Sequence, residues 1–470
     1  MPESTVIIVV VVVYQVVLVA IGLWAQRLNR DSADYYLGGR RLGPAVAALS
    51  ASTSSSSAWS LLGVSGAAYA WGLQAAWLLP AVLTGFVINW YWVAPRLYGA
   101  SRDSNALTLV EFLAGPREQA GSRPIRWLGA LAILFSFTFY VASQFQAAGD
   151  TFASVLPVDR GTAISIGALI VLAYVLLGGF WAASVSDALQ GLLMLAIAIV
   201  LPLAAVAAVG GPGSMLAGLG ALDEPGLLAI VDQPDRLSAL VFVAGLFGIG
   251  LGYPGQPHVV NRFMAIEHFR DIRRARRIAV AWALVVFAGM IVLGWAGRVL
   301  LGDIGDREQV LFLSTQQMLP AMFAGIVIAG VLSAIMSTAD SQLLVAASSV
   351  SHDLGASHLR GARRVVLVIG LIAVLLSIYS PEAIFNRVLF AWQALASAFG
   401  PLLLVLLGLG AVPWRWRLAA VATGFFGTIV LSRLPDAPAD AAERLLPFAA
   451  AGMIALAGHL LHKKRQITTD

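Results

Sequence analysis

Apolar runs of about twenty residues recur along almost the whole chain, and that recurrence limits the possible folds more than any other feature. About twenty residues of helix cross the hydrocarbon core of a bilayer, and inside that core only helices or closed barrels satisfy every backbone polar group. Of the 470 residues 59% are hydrophobic and 12% charged, with a mean hydropathy of +0.83. A soluble domain carries about twice that charge. Thirteen candidate spans follow, near 5–25, 43–71, 74–98, 127–156, 162–180, 184–209, 238–264, 277–301, 320–350, 365–380, 383–410, 418–433 and 445–462. The first is too long for a signal peptide and has no basic stretch before it, so it reads as a retained helix. The sequence predicts an all-α polytopic membrane protein.

Charge placement sets the expected orientation. With the N-terminus outside and the C-terminus inside, 23 of the 30 basic residues fall on the inner side, and this arrangement needs an odd number of spans. The basic balance therefore reads as inner loops, and no nucleic-acid partner is expected. The chain has no cysteine, which excludes disulfides and thiolate metal sites. It also has no HExxH, and the Gly248/Gly250 spacing lies inside a span, so a membrane enzyme is not expected. Only His462 to Asp470 follow the last span, so a sensor's output domain is not expected. A passive channel would show a polar through-path instead of interrupted helices.

Two spans are poorly built as continuous helix. The second carries Ser52-Thr53-Ser54-Ser55-Ser56-Ser57, and the seventh carries Gly248, Gly250, Gly252, Pro254, Gly255 and Pro257. Spans 2–6 and 7–11 are sets of five, so the second set runs opposite to the first. Broken helices at the first position of each set predict an inverted-repeat transporter with its site near the midplane. The expected division is a single transmembrane unit. Its parts are an extra helix and loop over 1–41, repeats over 42–209 and 238–410, and two final helices over 411–470.

The ninth span offers Ser337 and Thr338, one turn after Ala334. Hard cations take oxygen ligands, so these hydroxyls could face the carbonyls of Thr53 and Ser56 around a cation. Alternatively, each could bond a carbonyl one turn back on its own helix. Asp187 and Asp340 are costly to place in a membrane. Each could attract a cation, relay a proton or pair with an arginine such as Arg262, and helix capping is a further reading for Asp187.

Several segments, in this order, resemble the sodium/solute symporters, and most closely the bacterial sodium/proline symporters. They are Tyr36-Leu37-Gly38-Gly39-Arg40, the run from Ser50 to Trp59, Ala106-Leu107-Thr108-Leu109 and Gly178-Gly179-Phe180. Gly252-Tyr253-Pro254-Gly255-Gln256-Pro257-His258, Arg262-Phe263-Met264, Met336-Ser337-Thr338 and Phe399-Gly400-Pro401 complete the set. The resemblance implies a leucine-transporter-type core of five plus five inverted helices that imports a small solute with sodium. It implies sodium ligands at the carbonyls of Thr53, Ser56 and Ala334 and the hydroxyls of Ser337 and Thr338. Asp187 and Asp340 would lie in its second shell or serve a second cation. Solute contacts are expected from Trp59, Tyr140, Gln144, Ile249, Tyr253 and Gln393. Two positions depart from the proline symporters. Ser55 stands where they carry aspartate, a charge that Asp340 could supply instead, and Ile249 stands where they carry tryptophan. The expected solute is proline or a related zwitterion or carboxylate. Monocarboxylates, pantothenate and sugars are the other substrate classes of such a carrier, and a transporter-like sensor is the other role. The expected location is a bacterial inner membrane, and the sequence leaves the oligomeric state open.

Overall fold

A computed structural model describes residues 3–26, 37–154, 157–177, 180–222, 224, 226–355, 359–380, 382–434 and 440–467. Tyr36, Gly178 and Gly179 of the segments quoted above lie outside these residues. Helix dominates, because in a bilayer each backbone group must be paired within its own segment. Eight helical stretches among the described residues are long and apolar enough to cross a membrane, and Thr5–Ile21 and Arg160–Ala173 are shorter apolar stretches. The longest stretch, Pro44–Asp103, has 60 residues, far more than one bilayer crossing takes. Gly72 interrupts it with a φ of +60°, a conformation glycine adopts without steric cost. Its Cα sits where a side chain would strike the Leu227 backbone.

In chain order the helices are α1 (Glu3–Gln26), α2 (Pro44–Ala58), α3 (Val64–Trp71), α4 (Leu78–Val87), α5 (Ala94–Asp103) and α6 (Leu109–Ala114). They continue with α7 (Ser122–Ala153), α8 (Arg160–Leu177), α9 (Phe180–Ala208), α10 (Pro212–Ala221), α11 (Arg236–Leu251) and α12 (Pro257–Ala265). Then come α13 (Asp271–Leu301), α14 (Val310–Met318), α15 (Ala321–Ser348), α16 (Leu359–Tyr379), α17 (Ile384–Gly408), α18 (Trp414–Leu431) and α19 (Ala441–Ile467). A short π-helical turn over Trp59–Gly63 joins α2 to α3, and another, Ser349–Asp353, extends α15.

Burial divides these helices by role. α2 is enclosed from Ala47 to Ala58, and α15 is buried over almost all of Ala324–Ser348. α9, α13 and α7 pack around them, while Leu169, Leu203, Leu371 and Tyr379 stand exposed on the outside, as lipid-facing side chains do. The helix richest in hydroxyls is thus the central one.

Candidate functional site

The first helix break falls at one residue. Ser57 takes φ +55° and ψ −171° inside α2, a conformation that costs a non-glycine residue on the order of 1–3 kcal/mol. The hydrogen bonds around it show what maintains it. Gln144 Oε1 accepts from the Ala58 amide at 3.1 Å, and Ser57 Oγ accepts from the Trp59 amide at 3.1 Å. Tyr140 Oη lies 3.3 Å from the same Ser57 Oγ, and Ser60 Oγ donates to the Ser57 carbonyl at 3.0 Å. Amides freed by the break are therefore paired by α7 side chains and by α2 itself, as buried backbone requires. Tyr140 and Gln144 hold the break, and Trp59 projects just beyond it, with ring centroids 5.7 Å from both Phe287 and Phe385.

The second break separates α11 from α12. A short 3₁₀ turn, Tyr253–Gly255, leads to Gln256 in an extended conformation (φ −93°, ψ 104°). The proline at 254 lacks an N–H and the one at 257 opens α12, both compatible with an interruption. Gly252 and Gly255 are needed for approach: a Cβ at 252 would lie 2.2 Å from Trp392 Nε1, and one at 255 would lie 2.6 Å from Ala396 Cα. The amides of Gly252, Gly255 and Gln256 are all spent on carbonyls three residues back, at 3.1–3.2 Å. Tyr253 packs on Phe86 (4.9 Å) and Trp392 (4.7 Å), and Asn89 Nδ2 donates to its carbonyl at 3.1 Å. The Ile249 side chain is buried, and its carbonyl accepts from Trp392 Nε1 at 3.1 Å. An indole from α17 thus stands beside the position where the proline symporters carry one in α11.

Gln393 goes elsewhere. Its Nε2 donates to the Arg444 carbonyl at 2.6 Å and to Ser397 Oγ at 3.0 Å, so this side chain ties α17 to α19. The other five solute candidates gather at the two breaks, and His258 links them. Its ring lies 6.4 Å from both Tyr140 and Trp392 and 5.4 Å from Phe137. The Ser54 carbonyl is close, but neither ring nitrogen makes a well-aligned hydrogen bond. Trp59 Nε1 is also buried without a partner. His258 and Trp392 were not singled out from sequence. The clue to His258 was its place directly after a double-proline interruption, whereas nothing in the α17 sequence marks Trp392.

Beside the first break, α15 meets α2. Thr338 Oγ1 reaches across to the Thr53 carbonyl at 3.4 Å, whereas Ser337 Oγ turns back to the Ala334 carbonyl at 3.3 Å. Both distances are long for hydroxyl donors, whose usual range ends near 3.0 Å. The Ser56 carbonyl accepts the Trp59 amide and keeps its second lone pair. Four of the five expected cation ligands thus take part in two loose contacts, one across the α2–α15 boundary and one within α15. Gly191 of α9 makes room for this layer, since a Cβ there would meet Thr53 Cγ2 at 2.8 Å. Ser55 Oγ donates to the Ser52 carbonyl at 2.9 Å, within its own helix.

Below this layer lies an ion-pair hub. Asp187 is two turns inside α9, so it is not a helix cap; its Oδ2 accepts from Ser50 Oγ at 2.6 Å and from Arg262 Nη2 at 3.2 Å. Arg262 Nε donates to Ser50 Oγ at 3.0 Å, Nη1 to the His258 carbonyl, and Nη2 to Ser341 Oγ at 2.5 Å. Ser341 Oγ in turn donates to Asp340 Oδ1 at 3.1 Å. One guanidinium therefore joins α2, α9, α12 and α15 and serves two buried carboxylates. Asp187 Oδ1 and Asp340 Oδ2 have no hydrogen-bond partner. Next to Arg262 a cavity of about 10 Å³, lined by Thr108, Asn261, Ser341, Val345 and Ser348 among others, is about the size of one water molecule.

Known carriers resemble this chain in sequence and in fold. The chain is 35% identical over 451 residues to the sodium/proline symporter of Escherichia coli, covering 92% of this chain and 88% of that one. It is 36% identical over 409 residues to the osmoregulated proline transporter of Bacillus subtilis, covering 84% and 82%. A substrate-bound, outward-open sodium-coupled sialic acid symporter superposes with a TM-score of 0.79 at 15% identity, over 97% of this chain and 98% of that one. A nucleobase-cation-symport-1 family transporter in a closed conformation gives 0.60 at 14% identity, over 94% and 96%. These superpositions establish the leucine-transporter-type fold. The sodium:solute symporter family profile matches residues 35–410. Matched by this profile over most of its length, and sharing four-fifths or more of its length with such carriers, this chain belongs to the sodium:solute symporter family and is a sodium-coupled symporter of a small solute, not an enzyme.

Proposed function

We propose that the chain imports proline, or a small zwitterion close to it in shape, together with sodium across a bacterial cytoplasmic membrane. Sodium is held by the carbonyls of Thr53, Ser56 and Ala334 and the hydroxyls of Ser337 and Thr338. The solute lies between the breaks at Ser57 and 252–256, bordered by Trp59, Tyr140, Tyr253, Trp392 and His258. Residues 42–209 and 238–410 act as inverted halves, with the N-terminus outside, and the carrier works by alternating access around the breaks.

The observation that carries this reading is the loose contact of Thr338 Oγ1 with the Thr53 carbonyl, 3.4 Å across the α15–α2 boundary. A cation between such oxygens would replace two weak hydrogen bonds with several ion–oxygen contacts at once. The same cation ties α2 to α15, so binding it biases the geometry of the break that faces the solute. That gives sodium a route to differential affinity between carrier states, without which no coupling arises. The proline-carrying relatives support the solute class. The paired amides at 252–256 make side-chain donors such as Trp59 Nε1 the better candidates for a carboxylate than the backbone of that break.

The deciding experiment is uptake of labelled proline into proteoliposomes with and without an inward sodium gradient, in competition with a panel of amino acids, amidated amino acids, monocarboxylates, pantothenate and sugars. Sodium-driven uptake blocked by proline, but not by prolinamide, is the expected result. Equal uptake in sodium-free buffer overturns the coupling, and competition by sugars alone overturns the solute class.

A further inference from the structure

Away from both breaks, where the N-terminus of α7 meets the last turn of the α15 segment, the chain builds a cleft of about 320 Å³ lined by Arg117, Ser122, Arg123, Arg126, Trp127 and Asp353. Two of its charged side chains are almost wholly buried, Arg126 and Asp353, each 3% exposed. Arg126 is held from behind: Nε donates to Ser122 Oγ at 3.1 Å, and Nη2 donates to the Gly115 carbonyl at 3.0 Å and lies 3.5 Å from Glu111 Oε1. Its Nη1 has no hydrogen-bond partner, and the Asp353 carboxylate is 3.8 Å away. Asp353 Oδ1 accepts from Thr108 Oγ1 at 2.7 Å, and Oδ2 has no partner. Arg117 donates to the His352 carbonyl at the cleft's edge.

Arg126 Nη1 and Asp353 Oδ2 thus each lack a hydrogen bond in one cleft, while the two side chains pair only as charges, 3.8 Å apart from Nη1 to Oδ1. A buried polar group left without a partner is costly, the more so when charged, so a ligand that meets both is favoured. Three guanidiniums and the N-terminal end of a 32-residue helix call for an anionic group with several acceptor oxygens. The free carboxylate oxygen calls for a cationic N–H donor a short distance away. At the mouth, Arg123 is exposed and Trp127 is 55% exposed, an arrangement suited to the membrane–water interface. A phosphate diester with an ammonium two carbons away fits all four requirements. We propose that this cleft binds the head group of an ethanolamine phospholipid, with the phosphate on Arg126 Nη1, Arg123 and Arg117 and the ammonium on Asp353 Oδ2. The bound lipid bridges α7 to the end of α15 and so braces that end of the bundle.

The test uses the full-length carrier, purified in detergent, stripped of lipid and titrated with phosphatidylethanolamine, phosphatidylcholine or phosphatidylglycerol of matched acyl chains, with retained lipid read by native mass spectrometry. Phosphatidylethanolamine should be held at least tenfold more tightly than phosphatidylcholine, whose trimethylated nitrogen has no N–H to give. Asp353→Asn should erase that preference, and Arg123→Gln should weaken retention of both lipids. Arg123 is exposed, so its variant remains decisive if Asp353→Asn proves unstable. Equal retention of the ethanolamine and choline lipids overturns the proposal, as does preference for phosphatidylglycerol or indifference to Arg123→Gln. Full displacement by millimolar inorganic phosphate overturns the lipid in favour of the free anion.

Discussion

Replacing Asp187 with asparagine keeps the size of the side chain and its contact with Ser50 but removes the charge that Arg262 faces at 3.2 Å. Breaking a buried ion pair from one side typically costs about 3–5 kcal/mol, because the remaining charge has lost its counter-charge. Here the lower end applies, since Asp340 still reaches the guanidinium through Ser341. The hub joins α2, α9, α12 and α15, so this cost falls on the state in which the four are packed together. At about 1.4 kcal/mol per factor of ten, a loss of about 3 kcal/mol raises the population of the opened state by about a hundredfold. The native chain has no cysteine, so a reporter thiol needs no background removal. Ser348 lines the small cavity next to Arg262 and is 4% exposed. A Ser348→Cys reporter should react slowly with a membrane-permeant maleimide, and Asp187→Asn should accelerate it by one to two orders of magnitude, as estimated for the opened state. A rate unchanged within about threefold would show that the hub does not keep this passage closed, and the reasoning would fail.

Other outcomes can be measured alongside. Ser337→Ala and Thr338→Ala should each raise the sodium concentration for half-maximal proline uptake, at about 1–3 kcal/mol for a lost partner; unchanged sodium dependence in both would mean that the hydroxyls serve only their own contacts. Gln144→Leu leaves the Ala58 amide unpaired at the α2 break and should lower thermal stability by about 1–3 kcal/mol, read as a reduced unfolding midpoint. Burial alone would raise the pKa of Glu111, but hydrogen bonds from His352 and the Leu107 amide, with the nearby charges of His352 and Arg126, bring it down from 4.5 to about 2. A depressed carboxylate stabilises the fold above its unfolded pKa, so that contribution should be lost as the pH falls from about 4.5 towards about 2. Glu111→Gln should flatten this part of the stability profile, and an identical acid-side decline in the variant would count against it.

The membrane class and the two interrupted helices were legible because each rests on residues adjacent in the chain, whereas the meeting of α2 with α15, 285 residues apart, came from the resemblance. Runs of twenty apolar residues, a hydroxyl run and a glycine–proline run report on backbone requirements that act locally. Which side chains cross between helices was not legible in the same way. Gln144 reads from sequence as a solute contact, and in the fold it also pairs an amide freed by a break 86 residues earlier in the chain. Gln393 read as a pocket residue, yet one side of its helix faces α19 and the next residue back, Trp392, faces the breaks. A rotation of about 100° per residue separates those two fates, and apolar patterning cannot assign it where every face of a helix is buried. Asp187 could be named as a possible partner of Arg262 but not placed, because pairing across helices depends on depth, and span boundaries from sequence carry errors of a few residues.

The hydroxyl of Ser55, bonded back to Ser52, has an electrical consequence. All five oxygens proposed for sodium belong to neutral groups, and Ser55, unlike an aspartate, adds no charge next to them. On that assignment the cage is uncharged when empty and carries one positive charge when loaded, and a zwitterionic solute adds none. Membrane voltage would then act on the inward passage of the loaded carrier and leave the return of the empty cage untouched. The driving force is about 2.3 kcal/mol per 100 mV for a charge crossing the full field. On that assignment, proline-evoked current should grow with inside-negative voltage through the loaded step, and a current indifferent to voltage would refute it.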